Sequence, residues 1–135
     1  MTNIAIIGAT GNVGRKTLEV IEKKDIKFDN LFLVASSNSA GKKISFKGKD
    51  YEVHDIEKYD FSKANITFFA AGGKIAEQYA EIAAKSSTVI DNSSFFRMDP
   101  DVPLIVPQVN AEQINEMKKN IVANPNCSTA QLVLV

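Results

Sequence analysis

Cys127, the one cysteine in 135 residues, follows the turn Asn124-Pro125-Asn126 and leads into Ser128-Thr129-Ala130-Gln131-Leu132. A strand before that turn and a helix after it would put the thiol in a first helical turn. There the helix dipole and unpaired amides lower a thiol's pKa and favour the nucleophilic thiolate. A cysteine packed in a core would instead be inert. Arg97 is the second candidate, a fork-shaped donor suited to phosphate or carboxylate, with a surface ion pair to Asp99 or Asp101 as its alternative. Asp91-Asn92-Ser93-Ser94 follows a strand, and Asn92 and Ser93 either position a cofactor or order the loop. His54 stands beside a hairpin and reads as a surface residue, not as a base for Cys127. One histidine and one cysteine without ligand spacing point to no metal site.

The other chemical feature is a loop of glycines, Gly8-Ala9-Thr10-Gly11-Asn12-Val13-Gly14. It lies between an apolar run and an amphipathic stretch, where a dinucleotide fingerprint belongs. Gly8 permits the tight turn, Gly11 lets backbone approach a pyrophosphate, and Gly14 allows close packing of helix on strand. The spacing is GxxGxxG, a variant of GxGxxG. Thr10 and Asn12 offer side-chain hydrogen bonds, and helix amides would face the phosphates. An NAD site places a carboxylate at the end of the second strand for the ribose 2′-hydroxyl. Here VASSNSAGKK, residues 34–43, has none. Ser36, Ser37 and Asn38 can donate hydrogen bonds, and Lys42 and Lys43 add positive charge, so NADP is favoured over a reading as a solvated polar turn. In such a chain a thiolate beside the nicotinamide means covalent aldehyde chemistry: the sulfur adds to a carbonyl, hydride leaves to the cofactor and a thioester remains.

Alternating short elements must position these groups. Ile4–Ile7, Leu31–Ala35, Ile66–Ala70, Thr88–Ile90, Leu104–Val106 and Ile121–Ala123 read as strands. Residues 44–46 and 51–53 flank a hairpin turn. Helices are expected from Asn12, with Val13, Thr17, Leu18 and Ile21 inward, and around Ile75, Tyr79 and Ile82/Ala83. A further short helix is expected over Asn110–Lys118, capped by Asn110. Alternation of strand and helix predicts a Rossmann-like, doubly wound, mostly parallel α/β sheet with helices on both faces, a flavodoxin-like sheet being the alternative.

Sixteen basic residues balance sixteen acidic ones, so the charge asks for no nucleic acid or membrane surface. No apolar run approaches the roughly 18 residues of a membrane span, and MTNIAIIGATG lacks signal-peptide features. A single cysteine fits a reducing compartment, and a cytoplasmic location is expected.

Taken in order, GATGNVG, ASSNSAGK, DNSSFFRMDPDVPLIVPQVN and NPNCSTAQ resemble aspartate-semialdehyde dehydrogenase along essentially the whole chain. The last two are specific to that family. The resemblance implies reversible, NADP-dependent reductive dephosphorylation of β-aspartyl phosphate to aspartate β-semialdehyde, toward lysine, diaminopimelate, threonine and methionine. By it, Cys127 matches the acyl-forming nucleophile, Arg97 the group that binds substrate phosphate, and Asn126 the asparagine beside the nucleophile. The cofactor set it implies is Gly8, Thr10, Gly11, Asn12, Val13, Gly14, Ser36, Ser37, Asn38, Ala71, Gly72 and Asn92. Relatives commonly have arginine where this chain has Asn38, which weakens the expected NADP preference, with Lys42 a partial substitute. Residues 1–126 are expected to form the nucleotide domain. Residues 127–135 would begin the cysteine helix, and a second domain with the histidine acid/base and the homodimer interface would lie outside the chain. On that expectation the chain binds nucleotide without turnover. The alternatives are N-acetyl-γ-glutamyl-phosphate reductase, with the same chemistry on another acyl phosphate, and a non-catalytic nucleotide-binding module.

Overall fold

A computed structural model describes all residues 1–135. Strands β1 (Asn3–Ile7), β2 (Asn30–Ala35), β3 (Lys43–Phe46), β4 (Lys49–Asp55), β5 (Ile66–Phe69), β6 (Thr88–Asp91) and β7 (Ile121–Ala123) join in one sheet. Their order is β3-β4-β2-β1-β5-β6-β7, parallel throughout except for the β3–β4 hairpin. The sheet is thus the expected mostly parallel, doubly wound one. The chain moves outward from β1 to β2, then returns to pair β5 on β1's other side. That reversal opens a crevice at the carboxyl ends of β1 and β5, where open α/β sheets bind ligands.

Alternation along β1 divides the core between the faces. Ile4 and Ile6 pack with Leu18 and Ile21 of helix α1 (Asn12–Lys23), while Ile7 packs with Ala76, Ala80 and Ala83 of helix α2 (Gly73–Ala83). The expected inward faces hold at Leu18, Ile21 and Ala83 but need correcting at Val13 and Ile82. Val13 is 47% exposed and Ile82 47%; Gly14 and three alanines are fully covered instead. Small residues let these helices lie close on the sheet, so the larger apolar residues beside them are left at the margin.

Two further expectations are corrected between β6 and β7. The Leu104–Val106 strand is reduced to a single parallel bridge, Leu104 to Ala123. Pro103 and Pro107 bracket it and neither has an N–H to extend a ladder. Even so, the segment closes onto β7, with Ile105 N–H donating to Ala123 C=O and Ala123 N–H to Pro103 C=O, both at 3.0 Å. The expected helix over 110–118 begins earlier, as helix α3 (Pro107–Asn110) followed by a 3-10 stretch over Ala111–Glu116. Proline suits a first helical position, having no N–H to leave unpaired. Asn110 is therefore no N-cap with a bonded side chain. Its amide folds back on the preceding loop, accepting from Val106 N–H at 2.8 Å and donating to Leu104 C=O at 2.9 Å. Helix α4 (Cys127–Leu132) follows β7. No helix is long and apolar enough to cross a membrane.

Candidate functional site

All the loops of interest emerge on the carboxyl edge of the sheet, because parallel strands deliver them there. Gly8 takes φ +86°, and its N–H donates to Val34 C=O at 2.8 Å. A Cβ on Gly8 would lie 2.5 Å from Ala70 C=O oxygen, and one on Gly14 only 2.2 Å from Gly8's carbonyl oxygen. These two glycines are therefore demanded by the protein's own packing. Gly11 differs: a Cβ there meets nothing closer than Gly8 O at 3.4 Å, an ordinary contact.

The first main-chain bond of α1 runs from Arg15 N–H to Gly11 C=O. The amides of Asn12, Val13 and Gly14 have no acceptor in the protein, and no side chain caps this end. Helix α2 starts beside it after Ala71 and Gly72 (φ +88°), also without a side-chain cap. Two helix N-termini thus converge on the β1–β5 crevice, each with a positive dipole end. A cleft of about 260 Å³ opens there, lined by Gly8, Thr10, Gly11, Ser36, Ile56 and Ala71 among others. An apolar groove of about 360 Å³ runs between α1 and β5–β6, over Val13, Val20, Ile26, Phe68 and Ile90, with Asn92 and Asn124 also lining it.

The loop after β2 is exposed at Ser36, Ser37 and Asn38. Ser37 requires a correction, for its hydroxyl is already engaged, donating to Asp55 Oδ1 at 3.1 Å. Thr10 Oγ1 lies 3.4 Å from Ser39 Oγ, a weak link between the glycine loop and this one.

Farther along the same edge, β6 and β7 bring the second cluster together. Asp91 is fully buried and its carboxylate accepts both Ser93 N–H (2.9 Å) and Ser93 Oγ–H (2.7 Å), so Ser93 orders the loop. Asn92 is left at the edge, accepting from the Asn124 side-chain amide at 2.8 Å. The ion pair weighed for Arg97 does not form. Its Nε donates to Asn124 C=O at 2.9 Å and its Nη2 to Asn92 C=O at 3.1 Å, while Asp99 pairs with Lys119 and Asp101 with Lys118. The Asp101 amide and Lys119 hold the Asp99 carboxyl below its usual range. Arg97 therefore keeps an uncompensated charge between the loops after β6 and β7. Sequence gave no sign of these partners, since both are backbone carbonyls.

Cys127 is exposed and is the first residue of α4. Asn126 is the N-cap, its Oδ1 accepting Thr129 N–H at 2.8 Å. That bond leaves the amides of Cys127 and Ser128 without protein acceptors. His54 lies on β4, exposed and against Phe32 and Tyr59, with β2, β1, β5 and β6 between it and β7. Five strand spacings amount to roughly 24 Å, so it does not meet Cys127. No group of His, Cys, Asp and Glu is arranged to hold a metal ion.

The family model for the semialdehyde dehydrogenase NAD-binding domain matches residues 3–117. An aspartate-semialdehyde dehydrogenase from Aquifex aeolicus is 50% identical over 134 residues, covering 97% of this chain and 39% of that protein. The chain thus spans about 40% of the length of the curated relatives it matches. A crystal structure of the Vibrio cholerae aspartate semialdehyde dehydrogenase II complexed with ASA superposes with a TM-score of 0.94 at 48% identity, covering 98% of this chain and 44% of that one. The Candida albicans enzyme with NADP gives 0.74 at 29% identity, over 98% and 45% of the two chains. By sequence match and by the glycine loop at the head of its sheet, this chain belongs to the semialdehyde dehydrogenase family and carries that family's NAD-binding domain.

Proposed function

We propose that these residues form the nucleotide-binding and nucleophile-bearing part of an NADP-dependent aspartate-semialdehyde dehydrogenase, acting on β-aspartyl phosphate. The observation that carries this reading is the shared edge: open α1 amides, Arg97 and Cys127 all face the same end of one sheet.

The cleft suits a dinucleotide. Asn12, Val13 and Gly14 amides would hold the pyrophosphate, with Gly8 and Gly11 keeping the approach clear and Thr10 adding its hydroxyl. Ser36 and Asn38 would meet the adenosine end, while Ala71, Gly72 and Asn92 would border the path toward Cys127. Three strand spacings, roughly 14 Å, separate β1 from β7. When bound, the reduced nicotinamide supplies the hydride. The Cys127 thiolate attacks the β-carbonyl carbon, forming a C–S bond as the C–O bond to phosphate breaks, and inorganic phosphate leaves with that electron pair. Arg97, held by two carbonyls, offers its remaining N–H groups and its charge to the departing phosphate. Asn126 fixes the start of α4 and so the direction of the sulfur. No histidine is within reach of Cys127, so residues 1–135 by themselves are expected to bind nucleotide without turnover. The domain division at residue 126, a homodimer in a full-length member and a cytoplasmic location belong to the same proposal. Preference for NADP over NAD is modest, because Asn38 offers no guanidinium to a 2′-phosphate.

Gly11→Val tests the cleft. Its Cβ is tolerated by the folded chain, yet its branches would stand where a pyrophosphate must approach. Calorimetry should show NADP affinity falling by about a hundredfold or more, some 3 kcal/mol, with little change in thermal unfolding. Unaltered affinity would remove the glycine loop from the binding site.

A further inference from the structure

The end of β2 lacks the carboxylate that NAD sites use, but the neighbouring strand supplies one. Ala35, the last residue of β2, pairs in register with Asp55, the last residue of β4. Asp55 therefore emerges on the carboxyl edge one strand farther out. Its Oδ1 accepts from Ser37 Oγ at 3.1 Å and from Glu57 N–H at 3.0 Å. Those bonds fix the half-buried carboxylate against the loop that carries Ser36; Ser36 and Ile56 line the dinucleotide cleft, while Asp55 lines a second hollow beside Ile56, with His54, Lys58 and Lys63. Oδ2 has no partner in the protein, and no lysine or arginine forms an ion pair with Asp55. Lys42 and Lys43 are exposed, and Lys58 and Lys63 share a hollow with Asp55 without forming an ion pair to it.

A fixed carboxylate accepts a hydrogen bond from a ribose hydroxyl and repels a phosphate dianion. We propose that Asp55 is a specificity-determining residue beside this cleft, next to Ile56 and bonded to Ser37, setting a negative charge near a 2′-phosphate so that NAD is admitted alongside NADP. The inference rests on the reading of the cleft as a dinucleotide site. It departs from a reading of residues 34–43 alone, because the deciding charge comes from β4.

The test is calorimetric titration of the chain and of Asp55→Asn with NADP+ and with NAD+, at low and at high salt. The amide keeps an acceptor for Ser37 and Glu57, so thermal unfolding should be unchanged. Asp55→Ser, whose hydroxyl can still accept from Glu57 N–H, replaces it if the amide fails to fold. Removing the charge should raise the ratio of NADP+ to NAD+ affinity by about tenfold at low salt, and by less at high salt where the repulsion is screened. A ratio unchanged within twofold, or equal shifts for both nucleotides, would overturn the role of Asp55 and leave the cleft assignment standing. Binding of neither nucleotide by folded wild-type chain would overturn the cleft assignment and this inference together.

Discussion

Replacing Cys127 by alanine in a full-length semialdehyde dehydrogenase carrying these residues is expected to abolish acyl-phosphate reduction while NADP binding persists. The loss should be on the order of 10⁵ in kcat or more, the scale seen when a covalent nucleophile is deleted, because no neighbouring group can form the acyl intermediate in its place. Binding should survive because the proposed pyrophosphate contacts are at the head of α1, three strands away on the sheet edge. Stability should also be nearly unaffected, since the exposed thiol fills no core volume. Stopped-flow measurement of a phosphate burst would separate this from a binding defect. A variant that still releases a stoichiometric burst of phosphate would show that the acyl group is carried elsewhere. In the chain of residues 1–135, Cys127 should be alkylated by iodoacetamide in the folded state without denaturant, because its thiol is exposed at the start of α4.

The second large effect is on the fold itself. Gly14→Ala places a methyl 2.2 Å from Gly8 O and 2.8 Å from Ala9 Cα, all backbone, with Gly14 fully covered between helix and strand. Nothing there can swing away, so α1 must lift from β1. The cost should be about 3 kcal/mol or more, which lowers the unfolding temperature by roughly 10 °C. Gly11→Ala, three residues earlier and meeting only Gly8 O at an ordinary 3.4 Å, should unfold within about 2 °C of the wild type. Differential scanning calorimetry distinguishes them, and similar melting for both would mean that the β1–α1 joint is loose. The contrast matters for the proposed function: the same motif keeps two glycines for its own packing and one that the packing does not require.

How much of this could be read from the residues depends on the range of the interactions. Ile4–Ile7 and Leu31–Ala35 are legible as strands because burial on both faces leaves an unbroken apolar run. The glycine loop and the Cys127 helix are legible because each is a local strand–turn–helix pattern. Helix α2 is legible too, and of its expected inward face Ala83 is buried and Ile75 and Tyr79 are partly buried against the core, while Ile82 is exposed. The periodicity picks out Ile75, Tyr79 and Ile82/Ala83, whereas tight packing against Ile7 and Val89 centres the face on Ala76, Ala80 and Ala83. The helix expected at Asn110–Lys118 failed because Pro107 makes a better first residue than Asn110 makes a cap. Arg97's grip on Asn92 and Asn124, and the Ser37–Asp55 bond, depend on which strands become neighbours. No local pattern encodes that.

The segment around Leu104 has one further effect, on how the protein behaves in a crowded solution. A three-residue strand at the rim of a sheet would ordinarily offer its outward main chain to any passing extended peptide. Here Ala123 has already given both its N–H and its C=O to residues 103 and 105. Prolines at 103 and 107 keep the covering segment from becoming a new template. On the opposite rim, β3 is four residues long and carries exposed Lys43 and Ser45. Neither side invites stacking into fibrils. Ala123 N–H should accordingly exchange with deuterium as slowly as amides of the inner strands, holding the turn before Cys127 on a rigid support while the outer residues of α4 exchange quickly.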